Sequence, residues 1–198
     1  MAAPEDTYQT GPESGGPCDS RRYAALIEQG VLGPDDPVEL LGGSIVAMAP
    51  QSASHAAAVH HLQTLLVTFL PADLLLRVQL PLEAGRDSVP EPDLALVEGP
   101  AERWWECHPK TARLVIEVAD SSLAQDRLTK SWVYAAAGVT DYWIVNLRDR
   151  SIEHRSEADV GARLYRQVRV LREIDSISTS AISGASWPVA ELIPGYRR

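Results

Sequence analysis

The stretch RLVIEVADSSLAQDRLTKSWVYAAAGVTDYWIVN, residues 113–146, decides the fold of this 198-residue chain. Its opening, extended by two residues to TARLVIEVA (111–119), predicts a strand, and DYWIVN (141–146) predicts a second strand. The segment between them predicts a helix, with Ser121 or Ser122 as the N-cap and Gly138 just past its end. A strand, a helix and a strand joined by short links imply a parallel strand pair with a right-handed crossover.

Further strands and hairpins are predicted on both sides of this unit. VELLGGSIVAMAP (38–50) has the pattern of a hairpin, because its paired glycines allow the positive φ angles of a tight turn. The other predicted elements are a short helix at 21–29, strands at 74–80 and 92–97, short antiparallel strands in SIEHRS, in LYRQVRVL and around Ile177, and a last turn near 189–193. The expected class is therefore α/β or α+β, with a mixed β-sheet flanked by helices.

A long helix is predicted between the hairpin and the strand at 74–80. Ser52 or Ser54 can cap its start, and Pro71 stops it after Leu70. Apolar residues at helical spacing indicate its buried stripe, which we expect to consist of Val59, Leu62, Leu66 and Phe69.

Length and composition narrow the class of protein. The chain suits one ordinary domain, and its glycine- and proline-rich start predicts a disordered tail at 1–18 before a single domain at 19–198. No run of 18 apolar residues occurs and the start lacks a signal pattern, so we expect neither a membrane span nor a secretory signal. Cys18 and Cys107 make neither a disulfide framework nor a four-thiolate zinc site, so we expect a reducing cytoplasm.

The net charge of -9 argues against a protein that coats nucleic acid through positive charge alone. It does not exclude a nucleic-acid enzyme, because bound cations offset the charge of a carboxylate cluster. Nearly all the basic residues are arginine, and a reaction that needs a lysine has only Lys110 and Lys130 as candidates.

Two acidic residues, Asp93 and Glu117, lie in apolar strands. The residues that share their faces are Ala95 and Val97 beside Asp93, and Val115 and Ala119 beside Glu117. A carboxylate is costly to bury in such a place without a partner, a proton or a metal. If the strands are neighbours, both acids can point into one cleft and hold Mg²⁺, which prefers oxygen ligands. The alternative is that each acid forms a salt bridge with a nearby arginine, such as Arg113 or Arg77.

Lys130 follows Glu117 by thirteen residues, on the predicted helix. At 100° per residue it lies roughly opposite an apolar stripe, which is predicted to consist of Ala124, Leu128, Trp132 and Ala135. One interpretation is an exposed lysine paired with Asp126 at i,i+4. In the other, the helix returns the ammonium group to the carboxylates, where it would orient the attacking water or stabilise charge on phosphate.

Several short motifs, in their order along the chain, resemble one family. They are VELLGG (38–43), SASHAAAV (52–59), PEPDLALV (90–97), RLVIEVADSS (113–122) and QDRLTKSWVYAAAGVTDYWIVN (125–146). Together they resemble the Uma-type putative restriction endonuclease family of the PD-(D/E)XK nuclease superfamily, over about residues 20–193.

The resemblance implies a restriction-endonuclease-like fold and Mg²⁺-dependent hydrolysis of DNA, with Mn²⁺ as an alternative ion. By match of position, Asp93 and Glu117 would be metal ligands. Lys130 would be the catalytic lysine, displaced onto the helix, because Ala119 stands where the superfamily's Glu-x-Lys motif has its lysine.

Glu39 and His55 would be accessory active-site residues by the same resemblance. Asp120 departs from it, because the family tends to have serine there; the extra carboxylate could add to the metal site or weaken the approach of DNA. We therefore predict a cytoplasmic, metal-dependent DNA endonuclease that acts as a homodimer. The alternative is a non-catalytic interaction domain on the same fold, with its carboxylates kept in structural ion pairs.

Overall fold

The computed structural model describes residues 17–33 and 36–195. The predicted tail at 1–18 therefore lies outside the described residues except for Pro17 and Cys18, and the single domain at 19–198 stays a prediction. Within the described ranges, no helix has the length and the apolar character that a membrane crossing requires.

The strands and helices follow the predicted order along the chain. The strands are β1 (Val38–Leu41), β2 (Ser44–Ala47), β3 (Leu74–Val78), β4 (Leu94–Glu98), β5 (Leu114–Ala119), β6 (Asp141–Asn146), β7 (Ser151–Asp159), β8 (Leu164–Arg172), β9 (Ser176–Ile177) and β10 (Trp187–Pro188). The helices are α1 (Ser20–Glu28), α2 (Ala53–Val67), α3 (Leu123–Gln125), α4 (Ser131–Ala136) and α5 (Val189–Leu192), and a 3₁₀ turn spans Ala101–Trp104.

The central sheet contains six strands in the order β3-β4-β5-β6-β7-β8. β5 and β6 are parallel, and every other neighbouring pair in this sheet is antiparallel. The mixed sheet and the parallel pair predicted from 113–146 are therefore confirmed. The helical segment at 123–136, called the crossover helix below, connects the two parallel strands.

Each face of the sheet has its own apolar core. On one face, α2 buries Ala58, Val59, Leu62 and Leu66 against the strands, and each large aliphatic side chain contributes about 1.5–3 kcal/mol. On the other face, the crossover helix buries Val133, Tyr134 and Ala135. The prediction for Phe69 is wrong: its side chain is 48% exposed, because α2 ends at Val67 and Phe69 lies beyond the last helical turn.

The crossover helix departs from the predicted pattern. It consists of α3, a π-helical turn at Asp126–Lys130 and α4. Leu128 is 71% exposed, whereas Asp126 and Lys130 are buried. The predicted apolar stripe is therefore wrong in its first half, because the wider π turn breaks the 100° periodicity and because this half of the helix covers a polar cleft.

The β1–β2 hairpin turns at Gly42 and Gly43, whose φ angles are +58° and +82° as the paired glycines predict. Gly42 packs directly against the crossover helix, because a Cβ atom on it would lie 2.8 Å from Cζ2 of Trp132. The hairpin thereby brings the buried side chain of Glu39 under that helix.

Candidate active site

A cleft of about 390 Å³ lies between the hairpin, the start of α2, the end of β5 and the crossover helix. Its lining contains six carboxylates, Glu39, Glu91, Asp93, Glu117, Asp120 and Asp126. The basic side chains in the lining are Lys130 and His55. This excess of negative charge attracts cations and repels a bare phosphate.

Asp93 lies at the point where the pairing between β4 and β5 stops. The last paired residues are Leu94 and Ile116, and beyond them the amide of Val118 donates a hydrogen bond of 2.8 Å to Oδ2 of Asp93. The carboxylate of Asp93 thus accepts the hydrogen bond that a backbone carbonyl of the neighbouring strand would accept if the pairing continued. It lies beside the strand that carries Glu117, so the condition that the two strands are neighbours is fulfilled.

Two side chains from other elements hold the same carboxylate. Ser52 caps α2 by accepting the amide of His55, and this places Nε2 of His55 at 3.1 Å from Oδ2 of Asp93. The hydrogen bond to Asp93 raises the pKa of His55, while burial opposes that shift. Nε2 of Gln79 lies 3.3 Å from Oδ1 of Asp93. Gln79 has a φ of 51°, a strained conformation for a residue other than glycine, and such strain concentrates at functional sites.

Glu117 and Lys130 form a buried ion pair. Nζ of Lys130 lies 3.0 Å from Oε1 of Glu117 and 3.4 Å from Oε2 of Glu39. The hydroxyl of Tyr134 also donates to Oε1 of Glu117, at 2.5 Å. Lys130 therefore turns toward the carboxylates, and the alternative of an exposed lysine is wrong.

The environment of this pair shifts both pKa values. Burial raises the pKa of Glu117 to about 8, although the ammonium of Lys130 opposes the shift. Burial alone would lower the pKa of Lys130, but the charges of Glu117, Glu39 and Asp126 raise it instead. Burial also raises the pKa of Asp126 to about 6, against Lys130 and a hydrogen bond from Ser122. Lys130 therefore remains a cation, and the carboxyl groups of Glu117 and Asp126 hold protons more tightly than usual.

Glu39 links the hairpin to the cleft. Its Oε2 accepts the backbone amide of Glu91 at 3.2 Å as well as facing Lys130. Burial and the charge of Glu39 raise the pKa of Glu91. The short hairpin thus supplies a second carboxylate that neutralises Lys130.

Asp120 connects two walls of the cleft. Its Oδ2 accepts hydrogen bonds from Ser52 at 2.7 Å and from Ser54 at 3.3 Å, and Arg148 lies 3.6 Å from Oδ1. The hydrogen bond from Ser52 is the largest influence that lowers the pKa of Asp120. These contacts favour a structural role at the start of α2 over either role considered from the sequence.

The structure brings all five predicted site residues into one cleft lining: Glu39, His55, Asp93, Glu117 and Lys130. Their catalytic roles stay predictions. The alternative of arginine salt bridges is wrong, because Arg113 pairs with Glu98 and Arg77 donates to the carbonyl of Pro81.

The donor set fits a hard divalent cation. Both candidate ligands are carboxylates, and Oε2 of Glu117 accepts no hydrogen bond from the described residues. Over residues 17–33 and 36–195, no group of three or more His, Cys, Asp or Glu side chains is arranged to hold a metal ion. Mg²⁺ does not require such a group, because it commonly binds one or two carboxylates, retains waters and contacts a substrate phosphate.

Sequence reasoning missed three side chains that contact the acids or line the cleft: Gln79, Glu91 and Tyr134. Tyr134 had a usable signal, because Asp126, Lys130 and Tyr134 recur at i, i+4 and i+8 on one helix face. Glu91 stands two residues before Asp93 and so shares its side of an extended chain. Gln79 carried no signal, because its contact depends on an unusual backbone conformation.

Comparisons with known proteins show the family of this chain and a similar fold. The profile of the family described as "Uma2: Putative restriction endonuclease" matches residues 22–190. The crystal structure of a protein described as a putative nuclease belonging to DUF820, from Anabaena variabilis ATCC 29413, is similar in fold, with a TM-score of 0.69 at 14% sequence identity. The alignment covers 85% of this chain and 96% of that one. No curated protein matches the sequence.

Proposed function

Because the chain belongs to the Uma2 family of putative restriction endonucleases, we propose that it is a metal-dependent nuclease that hydrolyses phosphodiester bonds in DNA. The observation that carries the proposal is the contact of Lys130 with Glu117 and Glu39 in a cleft that Asp93 also lines. Two carboxylates can hold the cation that metal-assisted phosphodiester hydrolysis uses, and a neighbouring ammonium can stabilise the charge that develops on the phosphate.

Asp93 and Glu117 would hold the cation, Mg²⁺ or Mn²⁺. When bound, such an ion polarises the phosphodiester and lowers the pKa of a bound water. The chain's own contribution is to keep both carboxylates in place. Val118, His55 and Gln79 hold Asp93, while Lys130 and Tyr134 hold Glu117.

Lys130 has one further task in this proposal. An ammonium group carries three N–H donors; one donates to Oε1 of Glu117, while Oε2 of Glu39 lies 3.4 Å away as an ion-pair partner. The remaining donors can serve a group in the cleft, where the ammonium would orient the attacking water or stabilise the charge that develops on the phosphate.

The direct test is Glu117→Gln, which keeps the size of the buried side chain and removes its charge. We expect DNA cleavage to fall on the order of a thousandfold or more, and saturable binding of Mn²⁺ in calorimetry to disappear. Glu98→Gln is the matched control, because Glu98 is half-exposed and pairs with Arg113 outside the cleft. Cleavage that survives in Glu117→Gln would remove the assignment.

A cleavage panel identifies the substrate. Duplex, single-stranded and branched DNA, and RNA, are incubated with and without Mn²⁺. We expect cleavage of DNA only in the presence of the ion; exclusive cleavage of RNA would contradict the proposed substrate.

A non-catalytic interaction domain is the second candidate. It is favoured by the net charge of -9 and by Ala119, which stands where the superfamily's Glu-x-Lys motif has its lysine. Calorimetry with Mg²⁺ or Mn²⁺ separates the two candidates: a saturable heat supports the nuclease, and its absence supports the interaction domain.

We also propose that the enzyme is a homodimer in a reducing cytoplasm. One cleft contains one set of Asp93, Glu117 and Lys130, whereas a duplex has two strands to cut. Both cysteines are unpaired, and one of them, Cys107, is exposed. Light scattering should give twice the chain mass of 21.6 kDa; a monomer both free and on DNA would contradict the dimer.

A further inference from the structure

Tyr134 contacts Glu117, and the sequence motifs gave Tyr134 no role in the site. Its hydroxyl donates to Oε1 of Glu117 at 2.5 Å, and Nζ of Lys130 donates to the same oxygen at 3.0 Å. The side chain of Tyr134 is completely buried. Both donors therefore occupy one oxygen of the carboxylate, and Oε2 of Glu117 is left for a ligand in the cleft.

We propose that Tyr134 is a positioning residue that holds the carboxylate of Glu117 so that Oε2 is presented to a divalent cation. This inference rests on the proposed function and deepens it. It assigns to a neutral, buried phenol the task of orienting a charged metal ligand.

The hydroxyl orients Glu117 more strictly than Lys130 can. The terminal torsion of a glutamate is broad, so the carboxylate turns unless directional donors hold it. The ammonium of Lys130 is a compact charge on a flexible stem and is shared with Glu39. A rigid phenol supplies one O–H in a defined direction, and Tyr134 stays protonated because burial raises its pKa well above the ordinary value.

The position of Tyr134 is itself fixed by packing. Its ring belongs to the apolar core beneath the crossover helix and meets Tyr142 edge-on, with ring centroids 5.0 Å apart. It follows Lys130 by four residues and therefore lies on the same helix face. A hydroxyl placed in this way cannot follow the carboxylate if the carboxylate turns.

Tyr134→Phe tests the inference, because it removes one hydroxyl and keeps the ring. Tyr165→Phe is the matched control: Tyr165 belongs to the same core, but its hydroxyl donates to the carbonyl of Val139, away from the cleft. In calorimetry without DNA, we expect Mn²⁺ to bind Tyr134→Phe about 10–100-fold more weakly than the wild type, the usual effect of losing an outer partner of a metal ligand. We expect Tyr165→Phe to bind like the wild type, while both variants lose a similar amount of thermal stability.

A second measurement starts from the wild-type protein, and the variants serve only to assign its signal to one tyrosine. Titration with Mn²⁺ should perturb the ultraviolet absorbance of a tyrosine, because the phenol donates to the carboxylate that binds the ion. The signal should persist in Tyr165→Phe and disappear in Tyr134→Phe.

The outcomes separate this inference from the proposed function. If the wild type binds Mn²⁺ and cleaves DNA while Tyr134→Phe binds equally well, the positioning role is wrong and the nuclease remains. A titration of the wild type that perturbs no tyrosine also overturns the role. If the wild type neither binds the ion nor cleaves, the proposed function fails first.

Discussion

At the scale of single residues, the buried charges of the cleft determine both chemistry and stability. Lys130 is almost fully buried and stands between Glu117 and Glu39, which are buried as well. Removing one partner of a buried ion pair destabilises the folded state more than replacing both partners by apolar residues, because the remaining charge is left uncompensated. The same contacts that prepare the cleft for a cation therefore make the fold sensitive to single substitutions.

Lys130→Met should abolish cleavage and destabilise the protein most above pH 8, where Glu117 of the wild type is ionised. The loss there is about 3–5 kcal/mol for a broken buried pair, because the charge of Glu117 is left uncompensated. Protonation of Glu117 removes that charge, so the deficit should shrink as the pH falls below about 8. Urea unfolding at several pH values measures it. Lys110→Met is the control, since Lys110 is the chain's other lysine and is exposed; equal losses in both variants would contradict this account.

Binding of the metal should strengthen as the pH rises. Burial raises the pKa of Glu117 to about 8, against the opposing charge of Lys130, so a proton competes with an arriving cation for this carboxyl group near neutral pH. The apparent affinity for Mn²⁺ should therefore increase from pH 6.5 through pH 8 and level off about one pH unit higher. Calorimetry in buffers of different ionisation enthalpy detects the released proton. Affinity that is flat over this range would show that Glu117 is already ionised.

At the scale of secondary-structure elements, the site depends on how closely the hairpin and the crossover helix approach each other. Glycine at the hairpin turn serves two purposes. It permits a positive φ, and it leaves room for the ring of Trp132. Because β1 carries Glu39, this contact also sets the distance between Glu39 and Lys130.

Gly42→Ala should therefore be more harmful than Gly30→Ala. Both glycines have positive φ angles, so both substitutions strain the backbone by about 1–2 kcal/mol. Only the Cβ at position 42 meets Trp132, at 2.8 Å, whereas nothing lies within 4 Å at position 30. We expect a further loss of about 1–3 kcal/mol from overpacking in Gly42→Ala. Thermal unfolding of the two variants measures the difference, and equal destabilisation would contradict the close approach.

At the scale of the whole molecule, a buried carboxylate is one of the contacts that attach the C-terminal segment to the sheet. Asp141 opens β6, and its Oδ1 accepts from His154 of β7 at 2.9 Å. Its Oδ2 accepts from the hydroxyls of Thr179 at 2.7 Å and Ser180 at 2.9 Å. The segment beyond β8 is thereby held against the sheet, where Trp187 and Val189 complete the core above α2.

Asp141→Asn should loosen this attachment and alter acid stability. Burial opposes ionisation of Asp141, but the hydrogen bonds from His154, Thr179 and Ser180 prevail and lower its pKa. A carboxyl group with a lowered pKa stabilises the folded state above its unfolded pKa of about 3.9, and that contribution is lost as the pH falls. The variant should lose about 3 kcal/mol at pH 7 and approach the wild type as the pH falls through the lowered pKa of Asp141. Urea unfolding across this range measures it; a constant difference would contradict the role of the charge.

Much of the fold could be predicted from local patterns. Alternation along 92–97 and 111–119 predicted which face of its own strand Asp93 and Glu117 occupy, because side-chain direction in a strand follows sequence parity. That the two strands are neighbours was a condition, which the pairing of β4 with β5 fulfils. The predicted order of elements, the parallel pair and the hairpin at Gly42 and Gly43 were also confirmed. Local sequence patterns are therefore sufficient to predict elements and side-chain direction where the backbone is a regular strand, helix or tight turn.

The remaining contacts were decided by tertiary packing. The π turn directs Lys130 into the cleft and leaves Leu128 outside, which no single periodicity predicts. Gln79 reaches Asp93 only because of its positive φ, and Tyr134 reaches Glu117 only because the crossover helix returns over the strand that carries it. The free energy of a buried polar group depends on which partners the folded chain places within hydrogen-bonding distance, and those partners come from elements far apart in the sequence.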